Sequence, residues 1–238
     1  MPCSTSMTRA HETTAESRWD EEYRAGRYAD EPPVEFIHDI GAAVRDRRPA
    51  DEVGLYIGCG NGRNYVPLVQ QHKIDLVGLD ISDVAIDQLR GRMPERADRL
   101  VHGDISSFPT GTKFGTVIGI QVFQHGSEME AHAHVRAAIE LLLPSGLLCM
   151  RVNAAGTEIE YRHEVVERNN HGGFTVRYED GPKSGLLVHF FSESEIDALA
   201  AGLMSVLPLR VQRTERQAPY RGHWDQWEGI WSQSSDSG

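Results

Sequence analysis

Lysine is scarce in this sequence. Only Lys73, Lys113 and Lys183 occur among 238 residues, and the formal net charge is −11. A protein that grips nucleic acid needs clustered lysine and arginine to neutralise the phosphates. The composition therefore argues against nucleic acid as a partner and favours a small molecule.

Cysteine and long apolar runs are also scarce. Cys3, Cys59 and Cys149 are too few and too unevenly spaced for a disulfide framework or a zinc motif, which predicts reduced thiols in a cytoplasmic protein. No run approaches the roughly 20 apolar residues that a membrane span needs. Residues 1–18 lack the apolar core of a signal peptide. We expect no membrane association.

What the sequence does contain is a regular alternation of apolar runs and amphipathic segments. Apolar runs predict strands, and helical periodicity predicts helices between them. The strands are expected at 52–58, 74–80, 98–104, 114–123 and 147–153, and the helices at 63–72, from Ser82 or Asp83 onward, and at 128–143, where "PSG" ends the last one. Such alternation predicts an α/β fold with a doubly wound, mostly parallel sheet.

The pattern changes after the fifth strand. Residues 154–191 alternate between the turn sequences "NNHGG" and "EDGPKSG", which predicts an inserted hairpin or small excursion. A helix over 192–203 follows, with a capping box from Ser192 to Glu195. Two final strands, over 207–217 and 223–233, complete the pattern.

The most informative stretch is "LYIGCGNGRN", residues 55–64, which follows the first strand and contains Gly58, Gly60 and Gly62. A dinucleotide fingerprint has the spacing G-x-G-x-x-G. Here the third glycine comes one residue early, which favours a different adenosine cofactor over a dinucleotide. A tight turn that binds nothing remains an alternative for this stretch alone.

Two acidic residues follow the next two strands. Asp80 lies 22 residues after Gly58, where a carboxylate can accept hydrogen bonds from both ribose hydroxyls, although it could equally cap the next helix. In "HGDISSFP", Asp104 can reach an adenine amino group and the amide of Ile105 a ring nitrogen, although Asp104 could also cap a loop.

Taken together, these motifs resemble those of class I S-adenosylmethionine-dependent methyltransferases. The segments "FGTVIGIQVFQH", "LLLPSGLLCM" and "HFFSESEIDAL" resemble the family's fourth strand, its helix–PGG–strand turn with Ser145 in place of a glycine, and its late helix. "RWDEEYRAG" resembles the aromatic lid of the tellurite-resistance and thiopurine methyltransferase branch. The resemblance covers roughly residues 17–232.

The resemblance implies a Rossmann-like methyltransferase fold with seven strands, the last of them antiparallel, and S-adenosyl-L-methionine as cofactor. It implies one methyltransferase domain over 18–232, with a lid and helix over 18–50 and an acceptor-side insertion over 154–191, between disordered tails at 1–17 and 233–238. One departure is Tyr56, which stands where the family usually has an acid.

The implied cofactor contacts share one edge of the sheet and the lid above it. They are Trp19 and Tyr23 in the lid, Gly58, Gly60, Gly62 and Asn64 around the glycine turn, Asp80 and Ile81 after the second strand, Asp104 and Ile105 after the third, and Gln121 after the fourth.

The acceptor side is less specified by sequence. His125, at the end of "QVFQH", is the candidate general base, and a capping or packing histidine is the alternative interpretation. Candidates for contact with a small-molecule acceptor are Tyr28, Asn153, His163, Tyr178 and His189. No metal is expected, because His132 and His134 are two apart on a helix and point in different directions.

Two other functions compete with methyl transfer. An NAD-dependent oxidoreductase requires the other glycine spacing, and its short-chain variety needs a tyrosine four residues before a lysine. Those positions hold Val69, Pro109 and Glu179. A non-catalytic S-adenosylmethionine-binding protein is the second alternative, and Tyr56 is the residue that favours it.

Overall fold

The computed structural model describes residues 15–26, 28, 31–47, 52–218 and 221–235. The described ranges leave out most of the two predicted tails, namely residues 1–14 and 236–238. They also leave out Pro49, where the helix predicted over 33–49 should end, and part of the "APYRG" segment (218–222) that should join the last two strands. Residues 15–17, expected in the tail, are helical. None of the helices in the described ranges is long and apolar enough to cross a membrane.

The described residues form six helices and ten strands. The helices are α1 (Ala15–Arg24), α2 (Phe36–Arg47), α3 (Tyr65–Gln70), α4 (Asp83–Arg92), α5 (Glu128–Glu140) and α6 (Glu193–Leu199). The strands are β1 (Gly54–Ile57), β2 (Leu76–Asp80), β3 (Leu100–His102), β4 (Phe114–Ile120), β5 (Leu142–Asn153), β6 (His163–Arg168), β7 (Phe174–Tyr178), β8 (Leu187–Phe190), β9 (Met204–Glu215) and β10 (His223–Ser232).

The main sheet has seven strands in the order β3-β2-β1-β4-β5-β10-β9. Strands β1 to β5 pair in parallel, and β10 is antiparallel to both of its neighbours. Apolar clusters pack on both faces of the sheet, with α2 and α3 contributing to one and α5 and α6 to the other. The predicted doubly wound, mostly parallel seven-stranded fold is confirmed.

Two sequence expectations differ from the structure. Helix α5 ends at Glu140 and β5 already begins at Leu142, so "PSG" forms an irregularity within the strand instead of a helix stop. Ser145 there has a φ of 62°, a left-handed conformation that favours the glycine of the family pattern. The inserted segment forms three antiparallel strands, β6-β7-β8, because the "EDGPKSG" turn returns the chain to pair again with β7.

Candidate active site

The candidate site lies at the carboxyl edge of the three central strands. β1 is hydrogen-bonded to β2 on one side and to β4 on the other, all in parallel. The residues that follow or end these strands, Gly58, Asp80 and Gln121, therefore meet at one edge. Ligands of open α/β sheets bind at such an edge, where the strand order reverses.

The glycine turn has a backbone that few other residues could adopt. Gly58, Gly60 and Gly62 have φ values of 69°, 54° and 95°. A Cβ on Gly58 would lie 2.7 Å from a methyl carbon of Val122, and one on Gly60 would lie 2.5 Å from the hydroxyl oxygen of Tyr23. The turn thus requires glycine both for its conformation and for close approach.

Asp80 ties the second strand to this turn. Its Oδ2 accepts a hydrogen bond from the Gly60 amide at 2.7 Å, and its Oδ1 accepts one from the Ser82 amide at 2.9 Å. Burial raises the pKa of Asp80, although the two amide bonds act in the opposite direction. Each carboxylate oxygen can accept a second hydrogen bond, so the residue can hold two hydroxyls of a sugar.

Three predicted cofactor residues also have contacts within the protein. Asp104 accepts hydrogen bonds from the amide and hydroxyl of Ser106 at 2.8 and 2.5 Å, and so caps a short helical turn that begins at Ile105. The Ile81 carbonyl lies 3.1 Å from Nε2 of His102. The loop-cap interpretation of Asp104 is therefore correct, and its Oδ2 is left for a ligand.

Asn64 supports the turn from behind. Its Oδ1 accepts the Val34 amide at 3.0 Å, and its Nδ2 donates to the Tyr56 hydroxyl at 3.3 Å. The side chain is buried, so its role is to hold the approach to α2 and the Tyr56 ring instead of contacting a cofactor directly. Tyr56 is 2% exposed, and burial raises the pKa of its phenol, which keeps it neutral.

Gln121 has an unusual backbone at the end of β4. Its φ is 58°, which is rare for a residue other than glycine and is maintained only where the surroundings enforce it. Its amide donates to the Arg151 carbonyl at 2.7 Å, and its carbonyl lies 3.2 Å from Nε2 of His125. The bend thereby orients the candidate base.

His125 carries an unused nitrogen inside the protein. Because a carbonyl can only accept, Nε2 donates to Gln121 and the lone pair of a neutral ring lies on Nδ1. That Nδ1 atom is buried and has no hydrogen-bond partner among the described residues. Burial of the ring, with a smaller contribution from Lys183, lowers the pKa of His125 to about 3.

Helix α1 packs beside the glycine turn and contacts α4 and the inserted segment. Asp20 accepts a hydrogen bond from the Ser82 hydroxyl at 2.6 Å, and Gln88 donates to the Tyr23 carbonyl at 3.0 Å, which fastens the lid to α4. On the other side Arg18 donates to the Ser184 carbonyl of the inserted segment at 3.0 Å. Sequence reasoning missed these anchors, although Asp20 lies beside Trp19 on the predicted lid helix.

The five acceptor candidates are not brought together. Tyr28 lies against the lid, with its ring centroid 6.0 Å from that of Tyr23, and Asn153 ends β5. His163 pairs with Tyr178 in the small sheet, and its Nδ1 lies 2.8 Å from the Tyr161 carbonyl.

Two further acceptor candidates, Tyr178 and His189, lie in the inserted segment and have partners within the protein. Burial raises the pKa of Tyr178 to about 12, since its ring belongs to the core of the small sheet. His189 is 0% exposed, and its two ring nitrogens lie 2.9 Å from Thr175 and 3.0 Å from Glu195. An acceptor contact by His189 therefore does not fit the structure. Lys183, in the "EDGPKSG" turn, does lie beside α1, in a depression that Trp19 also lines. Sequence analysis did not select it, because a lysine in such a turn has no distinguishing pattern.

Comparison with known proteins agrees with this geometry. Residues 55–146 match a family model described as a methyltransferase domain. No curated protein sequence matches the chain significantly.

Similar solved structures are methyltransferases of low sequence identity. They include 1,6-didemethyltoxoflavin-N1-methyltransferase from Burkholderia thailandensis, with S-adenosylhomocysteine bound, at 18% identity, 98% coverage of this chain, 94% of that chain and a TM-score of 0.63. The CcbJ methyltransferase from Streptomyces caelestis has 19% identity, coverages of 91% and 99%, and a TM-score of 0.59. The CalS10 amino pentose methyltransferase from Micromonospora echinaspora has 20% identity, coverages of 90% and 97%, and a TM-score of 0.55.

The fold, the glycine turn and the family match define a class I methyltransferase domain. The turn and the two free acceptor positions of Asp80 fit the adenosine part of S-adenosylmethionine. The match of residues 55–146 to a methyltransferase domain, together with the fold, supports S-adenosylmethionine-dependent methyltransferase activity. The family match and the glycine spacing favour this activity over the nicotinamide-dependent alternative.

Proposed function

We propose that this methyltransferase transfers a methyl group to a nitrogen atom of a small molecule, with Nδ1 of His125 accepting a hydrogen bond from the acceptor's N–H. The observation that carries the proposal is the buried Nδ1 of His125, which has no partner among the described residues. It lies at the carboxyl edge of β4, beneath Trp19 of the lid. An N–H group of the bound acceptor would give this buried Nδ1 atom the hydrogen-bond partner that it lacks among the described residues.

The cofactor would be held by residues that the structure already groups together. Gly58, Gly60 and Gly62 allow its close approach, and Asp80 accepts the ribose hydroxyls. Tyr23 lies against Gly60 and would cover the bound molecule. Bound S-adenosylmethionine supplies the methyl group on an electrophilic sulfonium. Asp104, Ile105, Ile81 and Gln121 would complete the adenine and sulfonium sides.

The chain's own contribution to the reaction is approach and alignment. Holding acceptor and donor in line can lower the barrier by roughly 7 to 11 kcal/mol. Closure of the lid onto α4 and the inserted segment would also exclude water from the reacting atoms. His125 would hold the acceptor through its Nδ1 and keep its Nε2 proton on Gln121.

The low pKa of His125 is the reason for choosing nitrogen. An imidazole whose pKa is about 3 is neutral at physiological pH but is a weak base. It cannot readily remove a proton from a hydroxyl before methyl transfer. A neutral amine attacks with its own lone pair and needs no base before methyl transfer, so a neutral His125 only has to accept an N–H hydrogen bond and orient that lone pair, and the extra proton of the product leaves to water.

The nature of the acceptor is supported by charge and by the similar structures. The chain has a net charge of −11, which disfavours polyanions. One similar protein is an N1-methyltransferase of 1,6-didemethyltoxoflavin, and another is an amino pentose methyltransferase involved in calicheamicin biosynthesis. A role in secondary metabolism is our proposal by analogy with them. Cys59 and Cys149 are buried thiols that form no disulfide within the described residues, and they support a cytoplasmic location.

The lid supports the proposed relation to the tellurite-resistance and thiopurine branch. Helix α1 carries Trp19 and Tyr23 over the site, as the resemblance in sequence implies. Aromatic residues in this position could enclose many different small acceptors. The proposed relation to this branch therefore rests on the lid alone and does not indicate which acceptor is methylated.

The test begins with binding and ends with turnover. The midpoint of thermal unfolding should rise when S-adenosylhomocysteine is added and should not change with NAD, because the glycine spacing does not match a dinucleotide-binding turn. A panel of amino sugars and nitrogen heteroaromatics is then screened for release of S-adenosylhomocysteine. Turnover with hydroxyl acceptors but not with amines would contradict the choice of nitrogen.

A matched pair of variants tests His125. His125→Ala removes the hydrogen bond that orients the acceptor and should lower kcat by about 10²-fold, the cost of a misplaced nucleophile, while leaving cofactor affinity nearly unchanged. His38→Ala removes an exposed histidine on α2, away from the carboxyl edge of the sheet, and should behave like the parent. A kcat of His125→Ala within a factor of a few of the parent would reduce His125 to a packing residue.

A further inference from the structure

A second cluster of polar side chains lies away from the methyl-transfer edge. His132 on α5, His189 on β8 and Glu195 on α6 each direct one donor atom to a common point, and these atoms all lie within 4.8 Å of one another. Nε2 of each histidine is 3.0 Å from the same carboxylate oxygen, Oε1 of Glu195. His189 and Glu195 are almost completely buried.

His189 has a polar partner at each ring nitrogen. The Thr175 hydroxyl lies 2.9 Å from Nδ1, and Oε1 of Glu195 lies 3.0 Å from Nε2. A hydroxyl can donate or accept, so His189 can keep its proton on Nδ1, bonded to Thr175, and direct the lone pair of Nε2 towards His132 and Glu195.

That arrangement suits a metal ion, since a ligating histidine characteristically donates its second ring N–H to an oxygen acceptor. Thr175 supplies such an acceptor beside Nδ1 of His189. The second imidazole, on His132, has its Nε2 at the same 3.0 Å from Oε1 of Glu195.

We propose that His132, His189 and Glu195 bind a zinc ion. Two imidazoles and one carboxylate form a common donor set for zinc, which leaves a fourth position for water. Ligands about 2.0 to 2.1 Å from a tetrahedral ion are separated by roughly 3.3 Å. The observed 3.0 Å between each Nε2 and Oε1 needs an outward shift of only a few tenths of an ångström.

The surroundings provide both an outer shell and an entrance. Asn169 donates to Oε1 of Glu195 at 2.5 Å, and the Ser192 amide donates to Oε2 at 2.7 Å. These bonds fix the orientation of the carboxylate. His132 and Glu195 also line a cavity of about 290 Å³ together with Glu128 and His171, through which an ion can enter.

The bound ion would fasten the inserted sheet to the main domain. The His189 amide donates to the Gln124 carbonyl at 2.8 Å, and the neighbouring Val188 forms a β-bridge with His125. Linking β8 to α5 and α6 would therefore fix the strand that lies beside His125. The zinc site itself stands on the hydrogen-bond geometry and does not depend on the proposed acceptor.

Metal binding can be measured on the tag-free full chain after chelator treatment. Titration with Zn²⁺ alone should give one site per chain and raise the midpoint of thermal unfolding. Co²⁺ should give the visible absorption of a tetrahedral site. His132→Gln should weaken zinc binding by more than the about 10- to 100-fold typical of losing an outer-shell partner.

His134→Gln is the matched control, because it removes a histidine two residues away on the same helix. It should bind zinc like the parent. His132 is partly exposed, so its replacement leaves the core intact, and circular dichroism would verify the fold. Absence of a stoichiometric site in the parent, equal zinc affinity in His132→Gln, or a doubly protonated His189 in nuclear magnetic resonance spectra with zinc present would each overturn the proposal.

Discussion

The indole of Trp19 meets the imidazole of His125 edge to face, with ring centroids 4.9 Å apart and ring planes at 72°. Trp19 belongs to the lid, and His125 follows the central strand β4. This contact joins α1 to the residue that we propose orients the acceptor. Trp19 therefore lies against the His125 ring in the described structure.

Cofactor affinity should depend on Asp80. Asp80→Ala removes a carboxylate that would bridge two ribose hydroxyls through charge-assisted bonds, at a cost of about 1.5 to 3 kcal/mol in binding free energy. Calorimetry with S-adenosylhomocysteine measures this loss. Asp83→Ala removes an exposed acid three residues later and is the control. Equal affinity in the two variants would remove Asp80 from the cofactor site.

Gly60→Ala should damage the glycine turn. The residue has a φ of 54°, and the added Cβ would lie 2.5 Å from the Tyr23 hydroxyl oxygen. A left-handed alanine costs roughly 1 kcal/mol or more, and the lid would also have to move. We expect weaker binding of S-adenosylhomocysteine and a lower unfolding midpoint.

The control for that variant is Gly91→Ala. Gly91 lies within α4, where an added Cβ meets nothing within 4 Å. Replacement of a helical glycine by alanine stabilises by roughly 0.5 to 1 kcal/mol. If both variants change stability and binding alike, the special requirement for glycine at position 60 is wrong.

The lid should become more protected when cofactor binds. Helix α1 has no buried residue and is held by a few polar anchors, so it should open readily in the free protein. Hydrogen exchange over residues 17–26 should slow with S-adenosylhomocysteine, whereas α2 should not change. Asp20→Ala removes the hydrogen bond to Ser82 and should reduce the effect. Equal exchange in both states would make α1 a purely structural element.

Stability should fall in acid partly because of His125. Its pKa drops from 6.5 in the unfolded chain to about 3 in the folded protein. Between these values the unfolded state binds more protons, so the free energy of unfolding decreases as pH falls from about 6.5 towards 3, by up to about 1.4 kcal/mol per pH unit.

Urea unfolding at pH 7 and 5 can isolate this contribution. His125→Gln lacks the titrating group, so its stability should decrease less between the two pH values than that of the parent. The other histidines are common to both proteins and cancel in the comparison. Parallel pH dependence in parent and variant would show that the ring is not shielded from protonation.

Much of the fold follows from local sequence. Short apolar runs, a glycine turn and acidic strand ends are local signals, and they predicted the five parallel strands in order. The capping boxes at Ser192 and Ser127 are equally local, because both partners lie within one helical turn. The inserted segment was predicted only as an excursion, since a third strand depends on where the second turn directs the chain.

The candidate site also has features that local sequence predicts and features that only the tertiary structure decides. The glycine turn, Asp80 and the aromatic residues of α1 could be proposed from sequence, because each proposal depends on residue type and spacing within a short segment. Only the tertiary structure decided that Asn64 holds Tyr56 and that His189 faces Glu195 and not the acceptor. His132 and Glu195 are separated by 63 residues, and their contact arises when α5 and α6 pack on one face of the sheet. Side-chain direction at such a distance is set by packing, which no local pattern encodes.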